Sequence, residues 1–443
     1  MKPQLALLGT GALLAMHACS STERAANTEV QNIDPVLSNA SAQALASNPA
    51  VRDELAAVLT EYFGEANAPR FAVLDEWEER GFDPNGSPLE GGRPADDLAG
   101  GSAREMEADN RRVWASELAV IAAGSVEGVG PWPRRRGMNR AWRELEAQRD
   151  SLDAAEFSDR ATAFFVEHYP TLGESAEMYV PNCSRCHGRD GSGNGRISDR
   201  LSPRPRNLHH GVFKFAAVES GSKPRLVDLV RTLERGLPGT QMPGFPDLSL
   251  AELGSMAAYV RYVSIRGEVE SLMVWDWMEE GLTPRESVAD LYGLVWQRWL
   301  EAADLACEVT APAPDRDPAR LALGDAVFRD EQRGNCMSCH GSEGRGDGPS
   351  AYCLADDGSR VTLLLDSWGD VNLPHDLTDG LFRGGNRRED VYTRIHCGIP
   401  GTPMPALGPS RNAEGEPLLS EEEKWAVVDF VLSLSGQGPF ATQ

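Results

Sequence analysis

Two stretches of the chain share one pattern: residues 183–187 read CSRCH, and residues 336–340 read CMSCH. The pattern C-x-x-C-H, which we call the haem motif, is the attachment signature of c-type haem. Its two cysteines form thioethers with the haem vinyl groups, and its histidine binds the iron. A zinc site or a redox-active cysteine pair is the alternative, and the histidine that follows both cysteine pairs argues against it.

The two haem motifs predict two covalently bound haem c groups. The predicted attachment residues are Cys183, Cys186, Cys336 and Cys339, and the predicted proximal iron ligands are His187 and His340. No catalytic residue is predicted, because the motifs hold a redox group that carries the chemistry itself.

A second pattern follows each haem motif: residues 239–243 read GTQMP, and residues 401–405 read GTPMP. We call each stretch a Met loop. A methionine thioether as second axial ligand raises the potential of haem iron and closes it to substrates, and the following proline stiffens the loop. We therefore predict Met242 and Met404 as iron ligands. The competing candidates, for which surface or propionate contact fits better, are His209, His210, His375 and His396.

The two patterns belong to one longer repeat. The haem motifs are 153 residues apart (336 minus 183) and the Met loops 162 (404 minus 242), so the second copy carries about nine extra residues. After each Met loop a serine precedes a glutamate by three residues, which is the spacing of a helix capping box. The serine and glutamate pairs are Ser249 with Glu252 and Ser420 with Glu423. This order predicts two duplicated helical domains.

The composition is that of a soluble globular protein. Of the 443 residues, 41% are apolar, and the formal net charge is -24. Such an acidic chain is not expected to bind nucleic acid. Its charge would steer a basic redox partner from a distance, and acidity kept for solubility is the alternative.

The N-terminus reads as an export signal. Residues 5–15 form an apolar run after Lys2, too short for a permanent membrane helix. Residues 14–19, LAMHAC, resemble a bacterial lipoprotein cleavage site. We therefore expect an exported, periplasm-facing protein that an acyl group on Cys19 anchors to a membrane. Ordinary secretion, with Cys19 left inside the signal peptide, is the alternative.

The rest of the chain divides by composition and periodicity. The predicted segments are a signal (1–19), a flexible tether (20–49), a helical N-terminal segment without predicted chemistry (50–156), a first haem domain (161–266), a helical linker (267–317) and a second haem domain (318–443). The linker is rich in aromatic residues between Trp275 and Trp299, which predicts either a docking surface or internal packing.

Three cysteines remain outside the haem motifs and the signal: Cys307, Cys353 and Cys397. Disulfides persist in an exported protein. Because Cys353 and Cys397 have no counterpart in the first repeat, we expect them to pair with each other and to leave Cys307 free.

Both repeats resemble class I cytochrome c domains, with a helix leading into the haem motif, a Met loop and a final helix. Residues 211–215, 236–243 and 264–268 are also similar to di-haem cytochromes c of exported bacterial respiratory chains. The resemblance implies an all-α fold of two tandem domains, preceded by a mostly helical segment, that passes single electrons to a partner. The alternatives are a di-haem peroxidase, against which two matching Met loops argue, and the haem subunit of a dehydrogenase or terminal oxidase complex.

Overall fold

Helices are the main regular structure of the computed structural model and strands are few and short, which confirms the predicted all-α class. It describes residues 39–65, 68–69, 71, 144–145, 147–168, 172–219, 221–302, 305–307, 309, 313–315, 317–354, 359–362, 364–412 and 414–436. The predicted signal sequence and Cys19 lie outside these residues, as does the stretch 72–143.

The helices are short except for one of thirty residues. In chain order they are α1 (Asn39–Ala46), α2 (Pro49–Phe63), α3 (Ala154–His168), α4 (Leu172–Asn182), α5 (Ser184–His187), α6 (Leu226–Arg235), α7 (Leu250–Glu279), α8 (Pro284–Leu300), α9 (Pro318–Arg329), α10 (Met337–His340), α11 (Arg388–Cys397) and α12 (Glu421–Leu434). Two antiparallel hairpins pair β1 (Gly64–Glu65) with β2 (Ala68–Pro69), and β3 (Tyr352–Leu354) with β4 (Arg360–Thr362).

The chain forms two compact units. The larger unit contains Asp34–Ala313 and Leu381–Pro409, and the smaller unit contains Pro314–Gly380 and Ser410–Gln443. Thus Leu381–Pro409, which the sequence assigns to the second haem domain, is part of the larger unit. Its helix α11 explains why, because Asp390 on that helix lies 3.6 Å from the guanidinium of Arg235 at the end of α6.

In the larger unit the helix before the first haem motif packs against α7. Tyr179 of α4 is 1% exposed, and its ring centroid lies 5.2 Å from that of Tyr259 on α7. The predicted capping box starts α7. The Ser249 hydroxyl accepts from the backbone N–H of Glu252, and the Glu252 carboxylate accepts from the backbone N–H of Ser249. The helix that leads into the first haem motif therefore packs against the helix that follows the first Met loop.

The smaller unit repeats this packing with α9 and α12. The rings of Phe328 and Phe430 lie 5.3 Å apart. A Cβ atom on Gly324 would come within 2.1 Å of the Ala426 carbonyl oxygen, so only glycine allows the two helices to approach so closely. The second predicted capping box, with Ser420 as the N-cap residue, begins α12.

Helix α7 runs past the predicted end of the first haem domain. The sequence predicts that end at residue 266, and α7 continues without a break to Glu279. Gly267 does not end the helix. It allows His209 to approach, because a Cβ atom there would lie 2.3 Å from the His209 Cβ atom. Beyond it, Val269 and Met273 are fully buried.

The N-terminal segment packs onto the same core. Helix α2 matches the prediction, whereas α1 lies inside the stretch predicted as a flexible tether, and Leu45 on α1 is buried. The Tyr262 hydroxyl donates to the Phe63 carbonyl over 2.6 Å, and the ring of Phe63 meets that of Tyr292 at 5.4 Å. Residues 39–46, which the sequence assigns to the flexible tether, form a helix.

The aromatic linker mostly packs inside the larger unit. Trp296 is 1% exposed and lies 4.7 Å from the ring of Phe71. Trp299 is buried as well and donates to the Glu268 carboxylate over 2.9 Å. Internal packing therefore explains these two tryptophans, while Trp275 is exposed. Among the described residues, no helix combines the length and apolar character needed to cross a membrane.

Candidate haem sites

Each haem motif closes one helical turn, α5 or α10. The backbone N–H of His187 donates to the Cys183 carbonyl over 2.9 Å, and that of His340 donates to the Cys336 carbonyl over 2.8 Å. One turn thus carries both sulfurs and the imidazole of each motif. The sequence predicted this grouping, because a gap of two residues brings both cysteines to one side of a turn.

Both motif histidines are oriented by a backbone carbonyl. His187 Nδ1 lies 2.9 Å from the Arg206 carbonyl oxygen, and His340 Nδ1 lies 3.0 Å from the carbonyl oxygen of His375. A carbonyl only accepts, so Nδ1 carries the proton and Nε2 keeps its lone pair for a metal. Burial lowers the pKa of both imidazoles, which keeps them neutral and able to ligate.

The sequence did not predict which two carbonyls accept from the histidines. They lie 19 and 35 residues after their histidines. Every residue has a backbone carbonyl, so no residue type marks the acceptor. The only signal in the sequence was the glycine-rich stretch after each haem motif, residues 188–195 and 341–348, which we call the glycine loops. Such a loop can fold back and return the chain to the histidine.

The glycine loops bind the haem motifs by backbone hydrogen bonds. The N–H of Gly193 donates to the His187 carbonyl over 2.8 Å, and Gly346 makes the same bond to His340 over 2.8 Å. Next in each loop comes a glycine that touches the turn itself. A Cβ atom on Gly195 would lie 2.4 Å from the Arg185 carbonyl oxygen, so contact within the protein already requires glycine there.

The two Met loops share one hydrogen-bonding scheme. In the first, the Thr240 hydroxyl donates to the Leu237 carbonyl over 2.8 Å and accepts from the Met242 N–H over 3.1 Å. In the second, the Thr402 hydroxyl makes the same two bonds over 2.8 Å and 3.2 Å, the latter from Met404. Both methionine side chains are half-buried. The threonine therefore fixes the backbone of the methionine that we predicted as a ligand.

The motif cysteines sit in surroundings that suit a neutral sulfur. Burial, the largest cause, raises the pKa of Cys183 to about 12 and that of Cys336 to about 12. A thioether is likewise uncharged, so its sulfur is favoured over a thiolate at these positions. The sulfurs, the oriented imidazoles and the rigid turns thus fit haem c.

The competing histidines are engaged elsewhere. His209 Nε2 lies 2.6 Å from the Asp190 carbonyl oxygen. His396 Nδ1 lies 3.1 Å from the Tyr392 hydroxyl, and His375 Nε2 lies 3.3 Å from the Asp379 carboxylate. Each of these rings is therefore accounted for by a protein contact. His210 offers its backbone carbonyl to Lys223 over 3.4 Å.

Comparison with known proteins gives a family for two segments of the chain. Residues 174–264 and 321–435 match the family model described as Cytochrome c. The chain therefore has two segments that are similar to cytochrome c, and these segments carry the two haem motifs. The similarity supports covalently bound haem c over the zinc alternative.

Two individual proteins are similar to parts of this chain. The Cbb3-type cytochrome c oxidase subunit FixP of Azorhizobium caulinodans is 23% identical over 154 residues, which are 34% of this chain. The matched chain spans about half of that relative, 48% of its length. A chain of the Kuenenia stuttgartiensis reducing HAO-like protein complex is 28% identical, covers 59% of this chain and 95% of its own length, and has a TM-score of 0.42.

Proposed function

We propose that the chain is a di-haem c-type cytochrome that exchanges single electrons in an exported bacterial respiratory chain. The observation that carries this proposal is the duplication of two elements: two haem motifs with oriented histidines and two Met loops with the same hydrogen bonds. Haem c, when bound, supplies a one-electron iron couple.

In this proposal each residue has a defined role. Cys183, Cys186, Cys336 and Cys339 attach the two haems, His187 and His340 are the proximal ligands, and Met242 and Met404 are the distal ligands. The carbonyls that accept from the histidines fix the imidazole planes and raise ligand basicity. The threonines keep the Met loops rigid, which favours a carrier with closed coordination over an enzyme with an open site.

Haem content tests the proposal directly. The purified protein, denatured and assayed for covalent haem, should contain two haems per chain. Haem staining of the protein band should persist after denaturing electrophoresis. Mass spectrometry of the haem peptides should place one haem on residues 183–187 and the other on residues 336–340. One haem per chain, or none, would overturn the di-haem assignment.

Coordination separates a carrier from a peroxidase. With methionine on both irons, the reduced protein should be low-spin and should bind carbon monoxide poorly. Rapid carbon monoxide binding by the unmodified protein, or turnover with peroxide, would favour the peroxidase instead. The Met loops predict the first outcome, because their prolines and threonines resist displacement of the ligand.

A second candidate is the haem subunit of an oxidase complex, which the similarity to FixP favours. The test is isolation of the tagged protein from membranes in mild detergent. A carrier should be recovered with haem c alone. A subunit should bring with it non-covalent haem and oxygen-reducing activity in fixed proportion.

Export and lipid anchoring remain part of the proposal, since the residues that predict them lie outside the described structure. Cys19→Ala should release the protein from the membrane or block removal of the signal. An unacylated mature N-terminus, found by mass spectrometry, would rule the anchor out. The net charge of -24 supports a basic partner, so electron transfer to that partner should slow as salt is added.

A further inference from the structure

Two of the cysteines outside the haem motifs meet in the larger unit. Cys397 is the last residue of α11, and Cys307 lies in the segment that follows α8. The two side chains are close enough to influence each other's ionisation, and both residues are buried, Cys397 completely. Both are thiols in the structure. Such proximity is what a disulfide requires, because its S–S bond is only about 2.05 Å long.

The segment around Cys307 is held in register by backbone pairing. The Cys307 N–H donates to the Ala217 carbonyl over 3.0 Å, and the Glu219 N–H donates to the Leu305 carbonyl over 2.9 Å. Val218 and Ala306 form the β-bridge between these two bonds. The Cys307 side chain is therefore placed by a fixed strand pair.

Helix α11 contacts the chain just before this strand pair. The Arg394 guanidinium donates to the Lys214 carbonyl over 3.4 Å and lies 5.6 Å from the centroid of the Phe215 ring. Cys397 follows Arg394 by three residues, so it lies about one helical turn further along the same side of α11. The two cysteines therefore lie within a wider contact, which the backbone pairing at Cys307 and the Arg394 side chain also stabilise.

We propose that Cys307 and Cys397 form a disulfide in the mature protein. The inference rests on the proposed export, because disulfides persist in the compartment outside the cytoplasmic membrane. It replaces the expected pairing of Cys353 with Cys397. The first repeat has Arg235 at the position of Cys397, and this arginine reaches α11 as an ion-pair partner of Asp390.

The oxidant is a disulfide-donating thiol oxidase of the exported compartment. One thiolate of the pair attacks the oxidant's disulfide and forms a mixed disulfide, and the second cysteine then displaces the oxidant. The two thiols lose two electrons and two protons, and the oxidant's disulfide becomes two thiols.

The timing of this reaction follows from the surroundings of the thiols. The pKa of the Cys397 thiol is raised, first by its hydrogen bond with Cys307 and then by burial, while the nearby Arg394 guanidinium opposes the rise. Few thiolates therefore exist in the folded chain, so the bond forms as the chain folds. Once buried, it resists soluble reductants.

The bond would close a ring of about 90 residues, since 397 minus 307 is 90. The ring contains the whole second haem motif and ends seven residues before Met404. Because a long ring removes more freedom from the unfolded chain, this disulfide should stabilise strongly. It would tie the stretch that leads into the second Met loop to the end of the helical linker.

Peptide mapping tests the proposal on the mature protein, expressed with its signal. The protein is unfolded in denaturant, alkylated without reductant, digested and compared with a reduced sample. We expect Cys353 to be alkylated in both samples, and Cys307 and Cys397 only after reduction. A peptide that joins Cys307 to Cys397, lighter by two hydrogens than the sum of its parts, should disappear on reduction.

The outcomes separate this inference from the proposed function. Full alkylation of Cys307 and Cys397 without reductant, or a peptide that joins Cys353 to Cys397, would overturn the inference. The haem peptides in the same digest report the two haem attachments independently.

Variants provide a second measurement. Cys307→Ser and Cys397→Ser should each lower the thermal midpoint of the holoprotein by about 5 °C or more, whereas the control Cys353→Ser should change it by less than about 2 °C. A reductant added under denaturing conditions before refolding should lower the midpoint of the unmodified protein by the same amount. Equal midpoints for all three variants would contradict the proposal.

Discussion

In the first repeat α4 ends at Asn182 and the haem motif begins at the next residue, whereas in the second repeat residues 330–335 separate α9 from Cys336. Tyr179 on α4 donates its hydroxyl to the Gly188 carbonyl over 2.9 Å. Phe328 on α9 is the approximate counterpart of Tyr179 in the second repeat, and it has no hydroxyl. The hydrogen bond to the second glycine loop therefore comes from another element.

That element is the hairpin in the extra residues of the second repeat. Tyr352, at the start of β3, donates its hydroxyl to the Gly346 carbonyl over 3.2 Å. Both glycine loops are thus held by a tyrosine hydroxyl, once from the helix before the motif and once from an insertion after it. The comparison teaches that the backbone bonds around the haem motif are fixed, while the elements that support them vary.

The largest expected effect is loss of one covalent haem. Cys183→Ala should remove stable attachment at the first motif and Cys336→Ala at the second, each leaving the other haem in place. Haem staining and mass spectrometry measure the result, with Cys353→Ala as a control that keeps both haems. If either variant lost both haems, the two repeats would depend on each other during maturation and the comparison of independent sites would fail.

The second effect concerns the Met loops. Met242→Ala and Met404→Ala should each lower the potential of one haem by on the order of 0.1 V, a fraction of the roughly 0.8 V that axial ligation spans. The thioether no longer favours ferrous iron, and the altered site should now bind carbon monoxide. Spectroelectrochemical titration measures the potentials. An unchanged potential in either variant would remove that methionine from the ligand set.

The third effect concerns two buried aspartates at matching positions, Asp228 and Asp390 (390 minus 228 is 162). Asp228 accepts from the Ala217 N–H over 3.1 Å, and each aspartate binds the arginine three residues before it. Asp228→Asn or Asp390→Asn breaks a buried pair and should cost about 3 kcal/mol of unfolding free energy.

Denaturant unfolding of the holoprotein measures this cost for both aspartates. The control is Asp199→Asn, whose side chain is 89% exposed beside Arg204 and should contribute about 0–1 kcal/mol. A loss at Asp228 together with no loss at Asp390 would show that the two helices are held by different interactions, despite their matching sequences.

The smallest effect addresses the two tyrosines directly. Tyr179→Phe leaves a buried carbonyl without its donor and should cost about 1–2 kcal/mol, because Tyr179 is 1% exposed. Tyr352→Phe should cost about 0.5 kcal/mol, since Tyr352 is half-buried and water can replace its hydroxyl. The same unfolding experiment ranks the two variants. The reverse ranking would contradict the role given to burial.

Local patterns explain why much of the fold was predictable. Ser249 starts α7 as the capping box predicts, and Gly236 ends α6, because helix ends depend on a few neighbouring residues. The caps of α6 and α11 escaped prediction: Arg225 and Arg387 stand at N-cap positions that sequence rules assign to small polar residues.

The site shows the same division. The sulfurs and imidazoles were predictable, because one turn contains them. The partner of Cys397 was not, because Cys307 comes from a strand pair 90 residues earlier, and sequence spacing gives no distance in space. Neither Cys353 nor Cys397 has a counterpart in the first repeat. Comparison of the repeats therefore favoured Cys353 as the partner of Cys397.

Helix α7 has a consequence for how the protein can be divided experimentally. Its thirty residues form a rod of roughly 45 Å, at 1.5 Å per residue. The first half completes the first segment that matches cytochrome c, and the second half carries Val269 and Met273, which are fully buried. A fragment that ends at residue 266 would lack the second half of α7. The apolar surface that packs on this half would be exposed, and α2 would lose the helices it contacts. The first domain is therefore not a detachable module, and a soluble fragment should extend through α8.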